Sequence, residues 1–190
     1  VCEKTDYYSF LMLNSLGTTK GKQGTLLAEL FSFKEMYDTN VPLITIFPEL
    51  VKSYPEKYGN IGLKDHCNSI HNYYKDHGLL DLMQNGFQVI PDQIMKPADA
   101  YHAVVGRKVE YVELDKMMGR IPAVMIVPYP PGIPIIMGGE HLNEKAKPIF
   151  DYLKKRQDFE NEFPGYESDI HGVERDERNG KKYFKTFCIK

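Results

Sequence analysis

Several features that mark particular protein classes are scarce or missing in this chain. Only three of its 190 residues are cysteine, and they are widely spaced at positions 2, 67 and 188. That odd, scattered set is typical of a reduced protein rather than a disulfide framework. A formal net charge of −2 argues against a general nucleic-acid binder. No apolar run approaches the roughly 18 residues of a membrane span, and no leader-like segment opens the chain. We therefore predict a cytoplasmic protein that binds neither nucleic acid nor membrane.

Two short motifs that suggest phosphate or metal binding are incomplete. Residues 17–22 contain a glycine followed by Gly-Lys, but a P-loop needs four residues between its glycines and Ser or Thr after the lysine. His66, Cys67 and His71 lie close together on a predicted helix, but no fourth zinc ligand is near them in sequence. We predict no metal site, and we expect Cys67 to pack as a small hydrophobic side chain.

The spacing of apolar residues, prolines, glycines and capping residues predicts an ordinary globular chain of alternating short elements. The first helix is expected to begin at a cap, Thr18 or Thr19, and to end at 38–40. Short helical turns are expected over 42–62. Four further helices are expected, from 63 to about 78, over 79–85, from Pro97 to 105, and from Asn143 or Pro148 to about 163. Strands are expected at 8–13, 87–90 and 109–114, and an Asn-Gly pair within 177–180 predicts a hairpin.

Residues 119–140, GRIPAVMIVPYPPGIPIIMGGE, form the most distinctive stretch. Two apolar runs, 123–127 and 133–137, are predicted to be buried strands joined by the corner 128–132. Three prolines fix φ in this corner, so Tyr129 sits on a backbone with little freedom. Two interpretations are open: a corner that only turns the chain, with Tyr129 packed on it, or a preorganised pocket wall.

This stretch closely resembles the C-terminal signature of the bacterial inducible ornithine/lysine/arginine decarboxylases, which are pyridoxal-phosphate enzymes of the aspartate-aminotransferase fold type. The family pattern is also present in YSFLMLNSLGTTKGK (8–22), FKEMYDTNVPL (33–43) and FPGYESDIHGV (163–173), so the resemblance covers nearly all of the chain. One departure is Gly138, because the family usually has Pro-Gly-Glu where this chain has Gly-Gly-Glu. We expect that glycine to loosen the strand end that carries Glu140.

The resemblance implies an α+β fold of small mixed or antiparallel sheets with packed helices, the C-terminal part of an aspartate-aminotransferase-type decarboxylase. It also implies a division near residue 45. Residues 1–45 would end the small subdomain of the pyridoxal-phosphate-dependent fold, and residues 46–190 would form the Orn/Lys/Arg decarboxylase C-terminal domain. Because the chain starts at Val1 in strand-like sequence, we expect it to be part of a longer protein.

The family's cofactor lysine follows a histidine in a Ser-x-His-Lys motif, and none of the six histidines here precedes a lysine. The resemblance therefore implies that pyridoxal 5'-phosphate binds elsewhere in the full-length enzyme. We expect no catalytic or cofactor-binding residue in this chain, which would be inactive alone.

The resemblance assigns substrate binding to two residues. An acidic residue in a Glu-Lys segment before the first strand grips the distal cation of the substrate in the family, and it matches Glu3. The tyrosine of the YPPG corner lines the same pocket and matches Tyr129. The alternative for Glu3 is a solvated terminal carboxylate.

Four other polar residues lie within family signatures, and we expect them to be structural, through a buried ion pair or a capped turn: Arg120, Glu140, Asp169 and His171. A buried arginine needs a carboxylate partner. Glu140 or Asp169 is the predicted partner of Arg120.

Among the three possible substrates the motifs favour arginine, giving agmatine and CO2, with lysine next. The family also implies an N-terminal domain that binds pyridoxal phosphate, homodimers or larger homo-oligomers, and a role in acid stress. The alternative is a free-standing, non-catalytic module that binds polyamines or basic amino acids.

Overall fold

The computed structural model describes residues 4–190; Glu3, predicted to bind substrate, lies outside the described residues. The described chain divides into two compact units. The helical unit consists of residues 11–76, and the sheet unit consists of residues 4–10 and 77–190.

The helical unit is built from helices joined by short turns. These are α1 (Lys20–Asp38), α2 (Leu43–Ile46), α3 (Pro48–Ser53), α4 (Pro55–Tyr58) and α5 (Leu63–Asp76). α1 begins where the Thr19 hydroxyl accepts a hydrogen bond from the Lys22 N–H at 3.4 Å. Pro48 and Pro55 occupy the first turns of α3 and α4, where a missing N–H costs nothing. The predicted cap and the short helical turns are confirmed.

Asn40 joins the end of α1 to the start of α5. Its φ of 52° lies in the left-handed region, which asparagine tolerates. The side-chain oxygen accepts from the N–H groups of Lys64 (2.9 Å) and Asp65 (3.3 Å), and the amide donates to the Asp65 carboxylate (2.8 Å). These bonds satisfy N–H groups that the first turn of α5 leaves without helical partners.

The sheet unit combines short antiparallel ladders with three longer helices. Its strands are β1 (Lys4–Thr5), β2 (Phe10–Leu11, which ends at the unit boundary), β3 (Asp92–Gln93), β4 (Val109–Glu113), β5 (Val127–Tyr129), β6 (Glu140–His141), β7 (Asp169–His171), β8 (Glu174–Arg178) and β9 (Lys181–Ile189). Its helices are α6 (Leu79–Gln88), α7 (Pro97–Val105) and α8 (Lys147–Glu162). The strand orders are β4-β9-β8, β5-β7 and β3-β6, and every pairing is antiparallel. The predicted α+β fold is confirmed.

The core of the sheet unit lies where α8 packs on α6 and β9. α8 buries an apolar stripe of Ile149, Tyr152, Leu153 and Phe159, at the spacing expected for one helix face. α6 approaches α8 closely at Gly86, where an added Cβ would lie 3.5 Å from the Pro148 carbonyl oxygen and 3.6 Å from the Tyr152 Cβ. A small residue at this position therefore lets the two helices pack tightly.

The hairpin predicted at Asn179-Gly180 is confirmed. Both residues have positive φ, 53° and 71°, as a type I′ turn requires. Arg178 then pairs with Lys181 at the start of the β8–β9 ladder. The local sequence is sufficient to specify this turn because asparagine and glycine tolerate the left-handed region.

The predicted strands at 123–127 and 133–137 are largely wrong. The two runs meet at one antiparallel bridge, Ile126 to Ile136, and the strand in this region is β5. The prolines at 122, 128, 130, 131 and 134 cannot donate to a longer ladder. β5 nevertheless contains Pro128, because a two-stranded sheet has only edge strands.

Two other strand predictions are too long or misplaced. The strand expected at 8–13 is reduced to Phe10–Leu11. Half of the run expected as a strand at 87–90 instead completes α6, which ends at Gln88. The apolar run there is short enough that periodicity alone does not separate a buried strand from a helix end.

The structure divides the chain between Asp76 and His77. The predicted boundary near residue 45 concerns the domains of a longer enzyme, and it stays a prediction.

The end of the 119–140 stretch is firmly held despite its two glycines. The Gly138 carbonyl accepts from the Gln93 side chain at 3.0 Å, and the Gly139 N–H donates to the Pro122 carbonyl at 2.8 Å. Glu140 is buried, and its carboxylate accepts from the Met137 N–H at 2.8 Å. These hydrogen bonds hold Glu140 at the end of the stretch, and the loosening expected from Gly138 stays a prediction.

Candidate functional site

Tyr129 lies at the tip of the proline-rich corner, at the end of β5. β5 pairs with β7, so that Tyr129 lies opposite Asp169 and Val127 opposite His171. The Tyr129 side chain is 43% exposed. The peptide bonds Tyr129–Pro130 and Pro130–Pro131 are cis.

The Tyr129 ring is fixed by contacts on both sides. An added Cβ at Gly132 would lie 2.7 Å from the ring, so glycine is what allows the ring to rest there. Gly132 has a φ of 76°, and its N–H donates to the Pro128 carbonyl at 2.8 Å. On another side the ring lies 4.9 Å from the His171 ring, centroid to centroid. Tyr129 is therefore both exposed and held in place.

Asp169 and His171 lie beside Tyr129 on β7. The His171 Nε2 is 3.2 Å from an Asp169 carboxylate oxygen, and both side chains are mostly exposed. We call Tyr129, Asp169 and His171 the Tyr129 surface. Sequence reasoning predicted Asp169 and His171 to be structural, in a buried ion pair or a capped turn, but they form an exposed pair. Period-two spacing along β7 puts both side chains on one face.

A buried arginine supports Tyr129 from behind. Arg156, in the middle of α8, is 3% exposed, and it donates to the Tyr129 carbonyl at 3.3 Å and to the Tyr7 hydroxyl at 2.6 Å. The Tyr7 hydroxyl is also 3.1 Å from that of Tyr152. We call Tyr7, Tyr152 and Arg156 the Arg156 cluster. Sequence reasoning missed this cluster, although an arginine on the apolar stripe of α8 is a signal that could have found it.

Arg120 has a different partner from those predicted. Its guanidinium donates to the Glu110 carboxylate at 2.5 Å and to the Ile189 carbonyl at 3.0 Å. The hydrogen bond lowers the pKa of Glu110 and raises that of Arg120. Glu140 is not available because it faces the Met137 amide, and Asp169 is paired with His171. The β4–β9 ladder pairs Val109 with Ile189, so both acceptors of Arg120 lie at this end of the ladder, a placement that sequence spacing does not reveal.

The buried ion pair of the sheet unit is formed by Glu160 and Arg175. Glu160 is 0% exposed, and its two carboxylate oxygens accept from Arg175 at 2.6 and 2.7 Å. Ser168 adds donations from its N–H and hydroxyl at 3.1 and 2.7 Å. The Glu160 contact raises the pKa of Arg175. With its oxygens satisfied, this buried carboxylate is structural.

The described residues do not fit the site of pyridoxal phosphate. A lysine that forms an imine must lose its proton, which desolvation in a pocket favours. Among residues 4–190 no lysine is buried. The half-buried ones have carboxylate partners, Lys155 with Asp158, Lys182 with Glu167 and Lys185 with Asp176.

Over residues 4–190 no three His, Cys, Asp or Glu side chains are grouped to hold a metal ion. Cys67 is half-buried, and burial raises the pKa of its thiol. In the same range, each helix is too short or too polar for a bilayer crossing.

Two cavities lie away from Tyr129. One, of about 290 Å³ in the sheet unit, is bordered by Leu114, Met118 and Phe150 together with charged side chains of α8. The other, of about 520 Å³ in the helical unit, lies between residues 12–15 and the first turns of α1. Neither is lined by the residues of the Tyr129 surface.

Comparison with known proteins identifies relatives over the whole chain. Residues 80–190, more than half of the chain, match the family model described as Orn/Lys/Arg decarboxylase, C-terminal domain. The lysine decarboxylase LdcA of Pseudomonas aeruginosa is 42% identical over 190 residues, covering 100% of this chain and 25% of the relative. The biodegradative arginine decarboxylase of Escherichia coli is 37% identical over 171 residues, covering 90% of this chain and 24% of that protein.

Solved structures agree with the sequence relatives. The constitutive lysine decarboxylase of E. coli superposes with a TM-score of 0.89 at 35% identity, covering 100% of this chain and 26% of that one. The chain therefore spans about a quarter of the length of the relatives it matches.

Proposed function

Since the chain belongs to the Orn/Lys/Arg decarboxylase family, we propose that it is the C-terminal region of a pyridoxal-phosphate-dependent enzyme that decarboxylates a basic amino acid. The observation that carries the proposal is the match over residues 80–190, with relatives that are decarboxylases about four times as long. In this proposal the chain recognises the substrate's distal cation and makes assembly contacts.

The cofactor belongs to residues outside this chain. When bound, pyridoxal phosphate supplies the electron sink for loss of the α-carboxylate. No lysine of the described range is desolvated, and no histidine in the sequence precedes a lysine. We therefore expect the chain alone to be inactive.

Tyr129 is proposed to bind the substrate's distal end. The ammonium or guanidinium there stays charged throughout the reaction, and a cation taken from water needs acceptors and negative charge. A tyrosine offers a hydroxyl acceptor and a ring face that attracts cations. Because β7, Gly132 and Arg156 already hold Tyr129, little entropy is lost when a ligand docks on it. Its exposure within this chain leaves the ring accessible to a ligand bound by another part of the enzyme.

Glu3 is proposed as the carboxylate partner of the same cation. It lies outside the described residues, so its support is the family motif and its place in sequence directly before Lys4 and β1. The nearby Tyr7 is hydrogen-bonded to Arg156, which also binds the Tyr129 carbonyl. The segment that follows Glu3 and the YPPG corner thus meet at one side chain.

α1 is proposed as a contact with the N-terminal domain of the same protein. None of its residues is buried in this chain, and its exposed side chains include Leu27, Leu30, Phe31 and Phe33. An apolar surface of this kind marks an interaction site. The relatives supply the candidate occupant, since about three quarters of their length lies outside the matched part.

The family also provides expectations about the whole protein. We propose a cytoplasmic location, homodimers or larger rings, and a role in acid stress.

Two basic amino acids are the leading substrates. The motifs at 8–22 and 123–134 and the ending FCIK favour arginine. The 42% identity to a lysine decarboxylase, against 37% to an arginine decarboxylase, favours lysine. We propose arginine with lysine as the alternative. Discrimination between them depends on pocket shape to which residues outside this chain contribute.

The competing function is a free-standing module that binds polyamines or basic amino acids without catalysis. The absence of a buried lysine over residues 4–190 is compatible with it. Such a module would leave the apolar side chains of α1 in water, whereas a longer enzyme covers them. The encoding reading frame separates the two, because only the enzyme has a Ser-x-His-Lys segment upstream.

The test is a decarboxylation assay of the full-length protein with arginine, lysine and ornithine. We expect CO2 release from arginine or lysine, with ornithine the weakest substrate. Absence of CO2 from all three, with cofactor bound, would contradict the proposed function.

Two variants test the binding residues. Glu3→Gln is expected to raise KM roughly tenfold or more, because a hydrogen bond to a charged group contributes about 1.5–3 kcal/mol. Tyr129→Phe is expected to raise KM about fivefold, the equivalent of about 1 kcal/mol for one hydrogen bond. Tyr101→Phe, at an exposed tyrosine of α7, is the matched control. An unchanged KM in either variant would remove that residue from the pocket, and cofactor absorbance should stay constant in all three.

A further inference from the structure

Arg156 connects two segments that are far apart in sequence. It extends from the buried face of α8, donating through Nη1 to the Tyr7 hydroxyl at 2.6 Å and through Nη2 to the Tyr129 carbonyl at 3.3 Å. The planar fork of a guanidinium fixes the directions of its N–H groups. The position of one segment therefore constrains the position of the other.

The Tyr7 end of this connection is well defined. The Arg156 guanidinium carbon lies 5.5 Å from the centre of the Tyr7 ring, and the Tyr7 hydroxyl is 3.1 Å from the hydroxyl of the fully buried Tyr152. Burial raises the pKa of Tyr7 well above its usual range, although the Arg156 charge opposes this shift. Tyr7 is thus a neutral phenol, able to accept from Arg156 while it shares a hydrogen bond with Tyr152.

The Tyr129 end has few other backbone restraints within the corner. Pro128, Pro130 and Pro131 have no N–H to donate, so few backbone hydrogen bonds are possible there. The Tyr129 carbonyl accepts from Arg156 and the Pro128 carbonyl from Gly132. Loss of the Arg156 donor would leave the tip of the corner held mainly by its pairing with β7.

We infer that Arg156 is a positioning residue: it sets the Lys4–Phe10 segment and the YPPG corner relative to each other. This inference rests on the proposed function, because Glu3 directly precedes the first segment and Tyr129 belongs to the second. A single buried guanidinium then holds both the corner that carries Tyr129 and the segment that follows Glu3 in sequence. Arg156 touches neither substrate nor cofactor in this role.

Lysine cannot replace arginine at this position. An ammonium on a flexible stem reaches one acceptor well, but it lacks the fork that addresses the two acceptors. We expect Arg156→Lys to keep the positive charge and to lose one of the two contacts. Arg156→Met is expected to lose both while keeping much of the side-chain volume.

Hydrogen exchange in the full-length protein tests the inference directly. The variants are Arg156→Met, Arg156→Lys and Tyr7→Phe, and Ile149→Val is the control at a buried position of the same helix. In Arg156→Met we expect amide exchange to accelerate at least tenfold both in residues 4–10 and in residues 127–132. In the control we expect a rise of no more than about fivefold in either segment, which is the limit set by its small cost to the whole sheet unit. Tyr7→Phe and Arg156→Lys keep the test informative if Arg156→Met fails to fold.

Enzyme kinetics provide a second measurement, because a role in stability alone would not change KM selectively. KM for the basic substrate is expected to rise about tenfold in Arg156→Met with kcat within a factor of two. The double variant Arg156→Met/Tyr7→Phe should raise KM by less than the product of the two single effects, because the two residues share one contact.

Two results separate this inference from the proposed function. Faster exchange in one segment only, or in neither, overturns the positioning role even if Glu3→Gln and Tyr129→Phe raise KM. Unchanged KM in Glu3→Gln and Tyr129→Phe overturns the proposed binding site, whatever exchange does in the Arg156 variants.

Discussion

The two longest helices of the described chain, α1 and α8, differ in what they bury. α1 has 19 residues and none is buried, whereas α8 has 16 residues and seven are. α8 is therefore held by packing against α6 and β9. α1 is held by local terms, the Thr19 cap and an exposed Lys34–Asp38 pair, and by the hydrogen bond from its Tyr37 to Asn68 of α5 at 3.1 Å. A long helix in this chain thus indicates nothing by itself about where its stability comes from.

The largest expected effect is at the centre of the α8 face. Ile149→Ala should destabilise the sheet unit by about 3 kcal/mol, because a fully buried side chain leaves a cavity that close packing cannot refill. Urea denaturation followed by probes in the sheet unit measures this loss, and Ile149→Val should cost about 1 kcal/mol. A loss below 1 kcal/mol for the alanine variant would mean that α8 is not held by packing.

A slightly smaller effect is expected at the ion pair of α8. Arg175→Met leaves the fully buried Glu160 carboxylate without its cation and should cost about 2–3 kcal/mol, since Arg175 itself is partly exposed. Combining it with Glu160→Gln should recover part of the loss. If the double variant were less stable than Arg175→Met, the buried charge would not be the cause. The measurement is the same denaturation experiment.

The two units should respond to pH in opposite directions. Burial lowers the pKa of His66 in the helical unit from its ordinary 6.5, so this unit should lose stability as pH falls through 6.5 toward the lowered value. Burial raises the pKa of Glu140 in the sheet unit from 4.5, so this unit should lose stability as pH rises from 4.5 toward the raised value. Amide hydrogen exchange, measured separately for the helical unit and the sheet unit from pH 4 to pH 8, tests both trends.

Matched variants assign each trend to its residue. His66→Gln should flatten the pH dependence in the helical unit alone, and Glu140→Gln in the sheet unit alone. A variant that changed the other unit's profile would contradict the assignment.

The cap of α1 should matter locally. Thr19→Ala should cost about 1 kcal/mol of helix stability, because the Lys22 N–H loses its acceptor. Amide exchange in the first turns of α1 should accelerate while α8 is unchanged, and Thr19→Ser is the matched control. Equal exchange in Thr19→Ala and the parent chain would show that other interactions hold this end.

The smallest effect is expected on the outer face of α1. Leu27→Ala should change the stability of the 190-residue chain by less than about 0.5 kcal/mol, because the side chain is largely exposed. In the full-length protein the same change should cost about 1 kcal/mol or more if the N-terminal domain covers α1. Thermal unfolding of both proteins provides the comparison, and equal losses would place the partner of α1 elsewhere.

The features that the sequence predicts well are those determined by neighbouring residues. The Thr19 cap, the prolines that open α3 and α4, and the Asn179-Gly180 turn each follow from local stereochemistry. Strand lengths around the YPPG corner were overestimated because apolar composition indicates burial but not how many N–H groups can pair. The family was recognisable because its motifs are distributed over the whole chain.

The candidate site depends on contacts that no local pattern contains. Tyr129 was predicted from the family motif, but its contact with His171 arises from the β5–β7 register. Arg156 reaches Tyr7 and Tyr129 only because α8 packs behind both segments. The two acceptors of Arg120, Glu110 on β4 and Ile189 on β9, likewise come together only because those strands pair. Such partners are decided by tertiary packing, which the spacing of residues in one sequence does not encode.

The order of the two units along the chain has a practical consequence. Residues 4–10 belong with residues 77–190, so the described chain leaves the sheet unit once and returns to it once. The helical unit, residues 11–76, is inserted between these two parts. A protease that cuts in the turn near Asn40 breaks the covalent link but leaves the bonds of Tyr7 to Tyr152 and Arg156 untouched. The amino-terminal fragment should then copurify with the rest after nicking, and separate only when a denaturant is added.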